Sequence, residues 1–291
     1  MMFKIKLVRL SVFIIYCACL FTGQVHAETE AGITSGILKF AAYDNFPPYS
    51  YQAANGKAEG IDVDIARALA EKLGLKANIR LVFADESLED DLRVYVWKGH
   101  HVTGPPADVM LHIPYDENLM KREDKISFIA PYFEDQVVVA ADPEQLGSNP
   151  QITAFFSNKI GVERVTMADG YLLGAYRGQI RNNVLHYHSI PEAIQALLKK
   201  DVTAVMGMRT EIESALDDSK NKYQIGLMQM PGIAKASWDQ GLAVKASNQA
   251  LSKSLQDAMT SLINDGTIKN IFNKYNASYH IPAAKINYPQ E

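Results

Sequence analysis

Cysteine is the scarcest informative residue in this chain. There are only two among 291 residues, Cys17 and Cys19, and both fall in the first 27. Neither has the flanking Leu-x-(Ala/Gly) context of a lipid-anchored cysteine. Tryptophan is also rare, at two residues, and no low-complexity tract or internal repeat is visible. Past the N-terminus no apolar run approaches the length of a membrane-spanning helix. Positive charge is in deficit as well: 29 Lys and Arg face 33 Asp and Glu, a net charge of −4 that argues against a nucleic-acid partner.

The long apolar stretch that does occur, Leu10–Phe21, is short for a bilayer span. It follows a basic flank (Lys4, Lys6, Arg9) and precedes Val25-His26-Ala27, a small-x-small cleavage pattern. These are the marks of a secretory signal peptide over 1–27. Its removal takes away three basic residues and no acid, which moves the net charge from −4 to −7. The mature chain is then expected to be periplasmic and free of cysteine, with no disulfide or thiol chemistry.

What remains alternates strand and helix. LKFAAY, NIRLVF, ADVMLHI, KIGVERV, VLHYHSI and VTAVMGM read as short apolar strands. IDVDIARALAEKLGL reads as an amphipathic helix, with Ile61, Ile65, Leu69 and Leu73 near helical spacing and Gly74 as its stop. Ser189 and Glu192 form a capping box before AIQALLKK, and Thr166 with Asp169 a similar one before MADGYLLGAYR. NQALSKSLQDAMTSLINDGTIKNIFNKY is a helix pair broken at Asp265-Gly266. Strands alternating with helices predict an α/β fold with mainly parallel sheets. Two such series, joined by extended segments near 132–140 and 236–245, predict two lobes with a double crossover. In open α/β sheets ligands sit outside the carboxyl ends of strands. The candidate cleft therefore receives the loops after Tyr43, Ile113, Val165 and Met208.

The segment from LKFAAYDNFPPY to the IDVDIARALAEKLGL helix, together with KISFIAPYFED, KIGVERVT and SLINDGTIKNIFNKY, resembles in order the motifs of the periplasmic solute-binding proteins of ABC importers. The similarity is to the amino-acid-binding class (family 3, type II periplasmic binding fold) and spans about 38–282. It implies two lobes, 36–134 with 240–282 and 135–239, and a tail from 283. It implies that no chemistry occurs and that a small ligand is passed to an ABC permease by what is expected to be a monomer. By position, Phe46 matches the aromatic that covers the ligand, with Asp44 and Tyr49 in the same loop and Pro47-Pro48 stiffening it. Arg122, six residues before Phe128, matches an arginine that grips a carboxylate, with His112 and Tyr115 beside it. Thr166 matches the threonine at a helix start that favours an anion. Trp238 and Asp239 fall beside the second crossover, where they could meet ligand from the hinge side.

Two departures shape the expected ligand. The acid that receives an α-ammonium in this class falls at Met208, and a cation left unpaired in a cleft is costly, so a carboxylate ligand without an amine is expected. The link RVYVWKGHHVTGPPADVM is longer than usual. There the chain has a looser likeness to relatives that serve periplasmic quinoprotein alcohol dehydrogenases, which makes such a dehydrogenase the alternative partner. A dehydratase-like enzyme on the same fold is a third reading, with Glu163, Asp239 or His112 as its acid or base. No cofactor motif is present: nucleophile elbow, phosphate loop and paired zinc signature are all missing. His100, His101 and His112 do not read as a metal site, because adjacent histidines in an extended segment point apart. His186 and His188 share one strand face and read as surface residues.

Overall fold

The computed structural model describes residue 33 and residues 35–233 and 235–284. The expected signal peptide, both cysteines and the last seven residues lie outside these. In chain order the elements are β1 (Ile37–Tyr43), β2 (Tyr51–Gln52), β3 (Ala58–Glu59), α1 (Ile61–Lys72), β4 (Lys76–Val82), α2 (Leu88–Leu92), β5 (Val109–Pro114), α3 (Glu117–Arg122), β6 (Ile126–Ala141) and α4 (Pro143–Leu146). There follow β7 (Ile160–Glu163), α5 (Met167–Gly178), β8 (Val184–Tyr187), α6 (Ile190–Leu198), β9 (Ala204–Met208), α7 (Arg209–Leu216), β10 (Gln224–Gly226), β11 (Ser237–Lys245), α8 (Gln249–Asn264) and α9 (Thr267–Lys274). None of the described helices is long and apolar enough to cross a membrane.

The strands join in the order β4-β1-β5-β11-β6-β9-β7-β8, with β10 added against β6. Pairs β1–β4, β1–β5, β7–β8 and β7–β9 are parallel, as the strand–helix alternation requires. The two central strands β6 and β11 run antiparallel to each other and pass through both lobes. On β1, Leu38, Phe40 and Ala42 face one buried cluster while Ala41 faces another. On the far half of β6, Val137 and Val139 likewise face a different cluster from Val138. Each half of the sheet is thus covered on both faces, which is why its strands read as unbroken apolar runs rather than alternating ones.

At the middle of the sheet the ladders slip. β5 carries an extra residue opposite Leu242, and β6 carries extra residues opposite Gly241. His112 on β5 (φ 60°) and Ala130 on β6 (φ 50°) take left-handed backbone there. Gly241 admits this crowding, since a Cβ on it would come within 2.8 Å of the Ile129 carbonyl. Such bulges bend a strand and re-aim its side chains. A second close approach fixes the start of α1, where Gly60 (φ 128°) lies against the Tyr49 carbonyl, 2.2 Å from where its Cβ would be.

Beyond α9 the chain straps across the waist of the molecule. Ser278 N–H donates to Glu213 Oε2 at 2.6 Å on α7, and the His280 carbonyl accepts from Glu134 N–H at 3.0 Å on β6. Asp239 on β11 accepts Ala283 N–H at 3.0 Å and Ala284 N–H at 2.6 Å. The sequence places Asp239 as a ligand contact, yet both of its oxygens hold this strap. We predict that Asp239→Ala, which removes two bonds to a charged acceptor, lowers stability by about 1.5–3 kcal/mol. That is a drop of roughly 3–10 °C in thermal midpoint, read by circular dichroism. An unchanged midpoint would mean the strap contributes nothing.

Candidate functional site

The loop after β1 is held by Asp44 N–H on the Val82 carbonyl (2.7 Å) and Phe46 N–H on the Ser50 carbonyl (2.9 Å). It delivers Phe46 and Tyr49 to the bulged end of β5. The rings of Phe46 and Tyr49 lie 4.7 Å apart, and those of Phe46 and Tyr49 stand 5.0 and 4.3 Å from the His112 ring. Phe133 backs Tyr49 and His112 at 5.9 and 5.6 Å. Behind His112 sits the wholly buried Asp62, whose Oδ2 lies 3.1 Å from His112 Nδ1 and whose Oδ1 accepts from the Tyr132 hydroxyl at 2.6 Å. The Tyr132 oxygen in turn accepts His112 N–H at 3.1 Å. The unusual backbone of His112 is therefore fixed from both its main chain and its ring.

Asp135, on β6 at the waist, is the second buried carboxyl. The Tyr49 hydroxyl donates to its Oδ2 from the first lobe, while its Oδ1 accepts Gln136 N–H at 2.9 Å and Thr210 N–H, from the second lobe, at 3.5 Å. Burial pushes its pKa up, and these bonds offset only part of that. The Tyr49 phenol is pushed well above its ordinary range, chiefly by burial and then by the Asp135 charge.

The second lobe adds two further acids. Glu163 ends β7 and accepts Ile190 N–H at 3.1 Å, and burial raises its pKa. Glu211, in the first turn of α7, is pushed well above the carboxylate range by burial, then by Glu163, then by Asp135. It lies deep in the molecule yet keeps partial access to solvent, as a side chain on a cleft wall does. No hydrogen bond, ion pair or cation accompanies it among the described residues. Thr166, exposed, caps α5 by accepting Asp169 N–H at 3.2 Å and donates to the Glu163 carbonyl at 2.8 Å. Met208 is half-buried and immediately precedes α7.

Phe46, Tyr49 and His112 thus come together, and the Tyr49–Asp135–Thr210 junction joins them to the wall that holds Met208, Glu211, Glu163 and Thr166. Asp44 stands at the base of the aromatic loop. Trp238 pairs across from Asp135 and packs on the same cluster as Met208. With Arg122 it lines a pocket of about 250 Å³ that includes Leu88, Glu89, Pro114, Asp116 and Leu119, and the exposed Arg122 guanidinium pairs with Glu89 at 3.1 Å. Tyr115 sits between the two regions, its N–H on the Asp239 carbonyl at 2.8 Å.

Three expectations change. The reading of Met208 as a missing acid overlooks Glu211, one turn along, so the cleft does not lack carboxylates. Asp62, Asp135 and Glu211 all escape the sequence reading. Of these, Asp62 had a signal, since it shares a helix face with Ile65 and Leu69. Lastly, His100 and His101 do not diverge: a tight turn (His100 N–H to the Gly104 carbonyl, 3.0 Å) puts their rings 4.1 Å apart. His186, on β8, meets Asp169 through Nε2 at 2.9 Å, and His188, just past the end of that strand, meets Arg164 at 2.6 Å. Among the described residues no three His, Cys, Asp or Glu converge to hold a metal ion.

Residues 38–91 and 118–278 match the model of the bacterial extracellular solute-binding proteins, family 3. The chain is 24% identical over 242 residues to the L-cystine-binding protein TcyJ of Escherichia coli (strain K12), covering 82% of each protein. It is 20% identical over 238 residues to the putative ABC transporter arginine-binding protein 2 of the same organism, covering 82% of this chain and 90% of that protein. Among solved structures it resembles an ancestral cationic amino acid solute binding protein, with a TM-score of 0.64 at 16% identity over 83% of this chain and 96% of that one. The relatives support the two-lobed α/β fold.

Because burial raises Asp135 and Glu211, the folded chain keeps protons at pH values where the unfolded chain has released them. The ligand-free protein is therefore predicted to gain stability as pH falls from above these raised values toward 4.5, the ordinary value for glutamate. Glu211→Gln should flatten that rise. Urea unfolding across the window checks it, and identical slopes in parent and variant would contradict the burial of Glu211.

Proposed function

The chain belongs to the bacterial extracellular solute-binding proteins, family 3, and from that premise we propose that it captures an amine- or guanidinium-bearing amino acid between its lobes for an ABC importer. The observation that carries this is Glu211: an acid deep in the cleft wall, without a partner, beside two other raised acids and across from an aromatic face. Carboxyls crowded in this way repel one another when ionised, and a ligand cation at the two that keep access to solvent, Glu211 and Glu163, relieves both that repulsion and their desolvation. Phe46, backed by the buried Tyr49 and flanked by the mostly covered His112, offers a ring face on which a cation or a flat guanidinium can rest. Relatives whose names state arginine or cationic amino acids as ligand are in keeping with this chemistry.

The carboxylate end of such a ligand belongs at the start of α5. The first-turn N–H groups behind Thr166 are oriented for an anion there, next to Glu163 and so within reach of the same solute. Arg122 could serve only by leaving Glu89. A ligand that bonds both walls is bound fully only when they are together, so it favours the closed arrangement that a permease would recognise. The protein acts as a carrier in the periplasm and performs no reaction.

A thermal-shift screen of the common amino acids and of simple organic acids is the first test. Arginine, lysine or a like cation should raise the midpoint without being consumed. Glu211→Gln should weaken that ligand about 10- to 100-fold, the worth of one charge-assisted bond. Affinity should rise with pH through the raised range of Glu211, because the protonated acid cannot pair with a cation. Arg122→Ala should change affinity by less than about threefold, under 1 kcal/mol. A screen in which only acids without an amine bind would sink this reading.

A further inference from the structure

Val165 stands between Glu163 and Thr166 on the rim of the second-lobe wall, with its side chain bare. At 92% exposure it is the most exposed large apolar residue among those described; Val102 follows at 76%. Its backbone is left-handed (φ 64°), a region that β-branched residues avoid because their Cβ branches crowd the adjoining carbonyls. The position is unfavourable twice over, in conformation and in hydration.

The surrounding structure enforces it. Val165 N–H donates to Asp169 Oδ2 at 2.8 Å, so Asp169 reaches back past Thr166 to grip the residue before the cap. The other oxygen of Asp169, itself nearly buried, is held by His186 Nε2 of the neighbouring strand β8 at 2.9 Å. Thr166 Oγ1 ties the following residue to the Glu163 carbonyl at 2.8 Å. Strain held in place by several independent bonds, on a residue whose side chain packs on nothing, motivates a role for that residue.

We propose that Val165 is a specificity-determining residue of the cleft: its isopropyl group packs on the aliphatic stem of the bound solute once the lobes close. This rests on the proposed capture of a cationic amino acid. Glu163 and Glu211 take the charged end, the start of α5 takes the carboxylate, and Val165, between the two, covers the methylenes that separate them. The ligand class is thereby narrowed to amino acids whose cation sits on a flexible aliphatic chain, in preference to those with a short one. The apolar surface left in water in the ligand-free protein is withdrawn from it on binding.

The test titrates L-arginine, L-lysine and the short-chain L-2,3-diaminopropionate into the parent, Val165→Gly and Val165→Ala by calorimetry, with ligand-free melting curves alongside. The parent should favour the long-chain ligands at least about tenfold, a difference of the size expected for burying the extra methylenes. Both variants should lose most of that preference, chiefly through faster release of arginine or lysine, and should bind diaminopropionate as the parent does. Ligand-free Val165→Gly should melt no lower than the parent, since glycine tolerates the conformation. Val165→Ala, which keeps the backbone unfavourable but lacks the isopropyl, separates loss of contact from relief of strain. A parent that binds and discriminates while both variants match it overturns the role of Val165 and leaves the proposed function standing. A parent that binds none of the three overturns both.

Discussion

Asp135 sits where β6 passes from one lobe to the other, and it is bonded from both: a phenol from the loop after β1 on one oxygen, a backbone N–H at the start of α7 on the other. A carboxyl this deep is tolerated only while its oxygens are satisfied, and removing a partner leaves an uncompensated polar group in the interior. The Tyr49 loop and α7 are therefore positioned relative to one another by a single buried group. The aromatic loop, the bulge at His112 and the acid wall all meet around it.

The bulges serve the same region. Regular pairing of β11 with both neighbours would carry His112 past the aromatic loop. The slip beside Gly241 turns its ring onto Phe46 and Tyr49, with Asp62 and Tyr132 behind it. The local backbone of this wall is thus decided by burial of Asp62 and by close approach at two glycines, Gly60 and Gly241. On the opposite wall α7 presents Thr210 and Glu211 toward Asp135, while Glu213 and the C-terminal strap hold it from elsewhere on the helix. A movement of α7 that brings its acid to a ligand must also carry the strap.

Much of the fold could be read from the residues, because apolar periodicity and capping boxes act locally. The alternation of strands and helices, the two extended crossovers and the break at Asp265-Gly266 all appear where the pattern puts them. The loop that carries Phe46 and Tyr49 was legible for the same reason: DNFPPY is a stiff loop at a strand's carboxyl end. The buried acids of the candidate site were not. Asp135 lies in FEDQVVV, where an acid at the start of an apolar run looks like a strand end, and Glu211 looks like an ordinary first-turn helix acid. Whether such a carboxyl is solvated or buried depends on what packs over it from 80 or so residues away, as Tyr49 does over Asp135 (86 residues). Arg122 and Asp239 show the opposite case. Each looks free in the sequence, and each is engaged by a distant partner, Glu89 and the strap.

Capture of a cation between two walls makes one spatial demand, that both walls respond together. Hydrogen–deuterium exchange with and without saturating L-arginine measures this directly. Ligand should slow exchange at once in the loop 44–50 of the first lobe and in 163–166 and 208–211 of the second. Protection confined to one of these walls would contradict capture between the lobes.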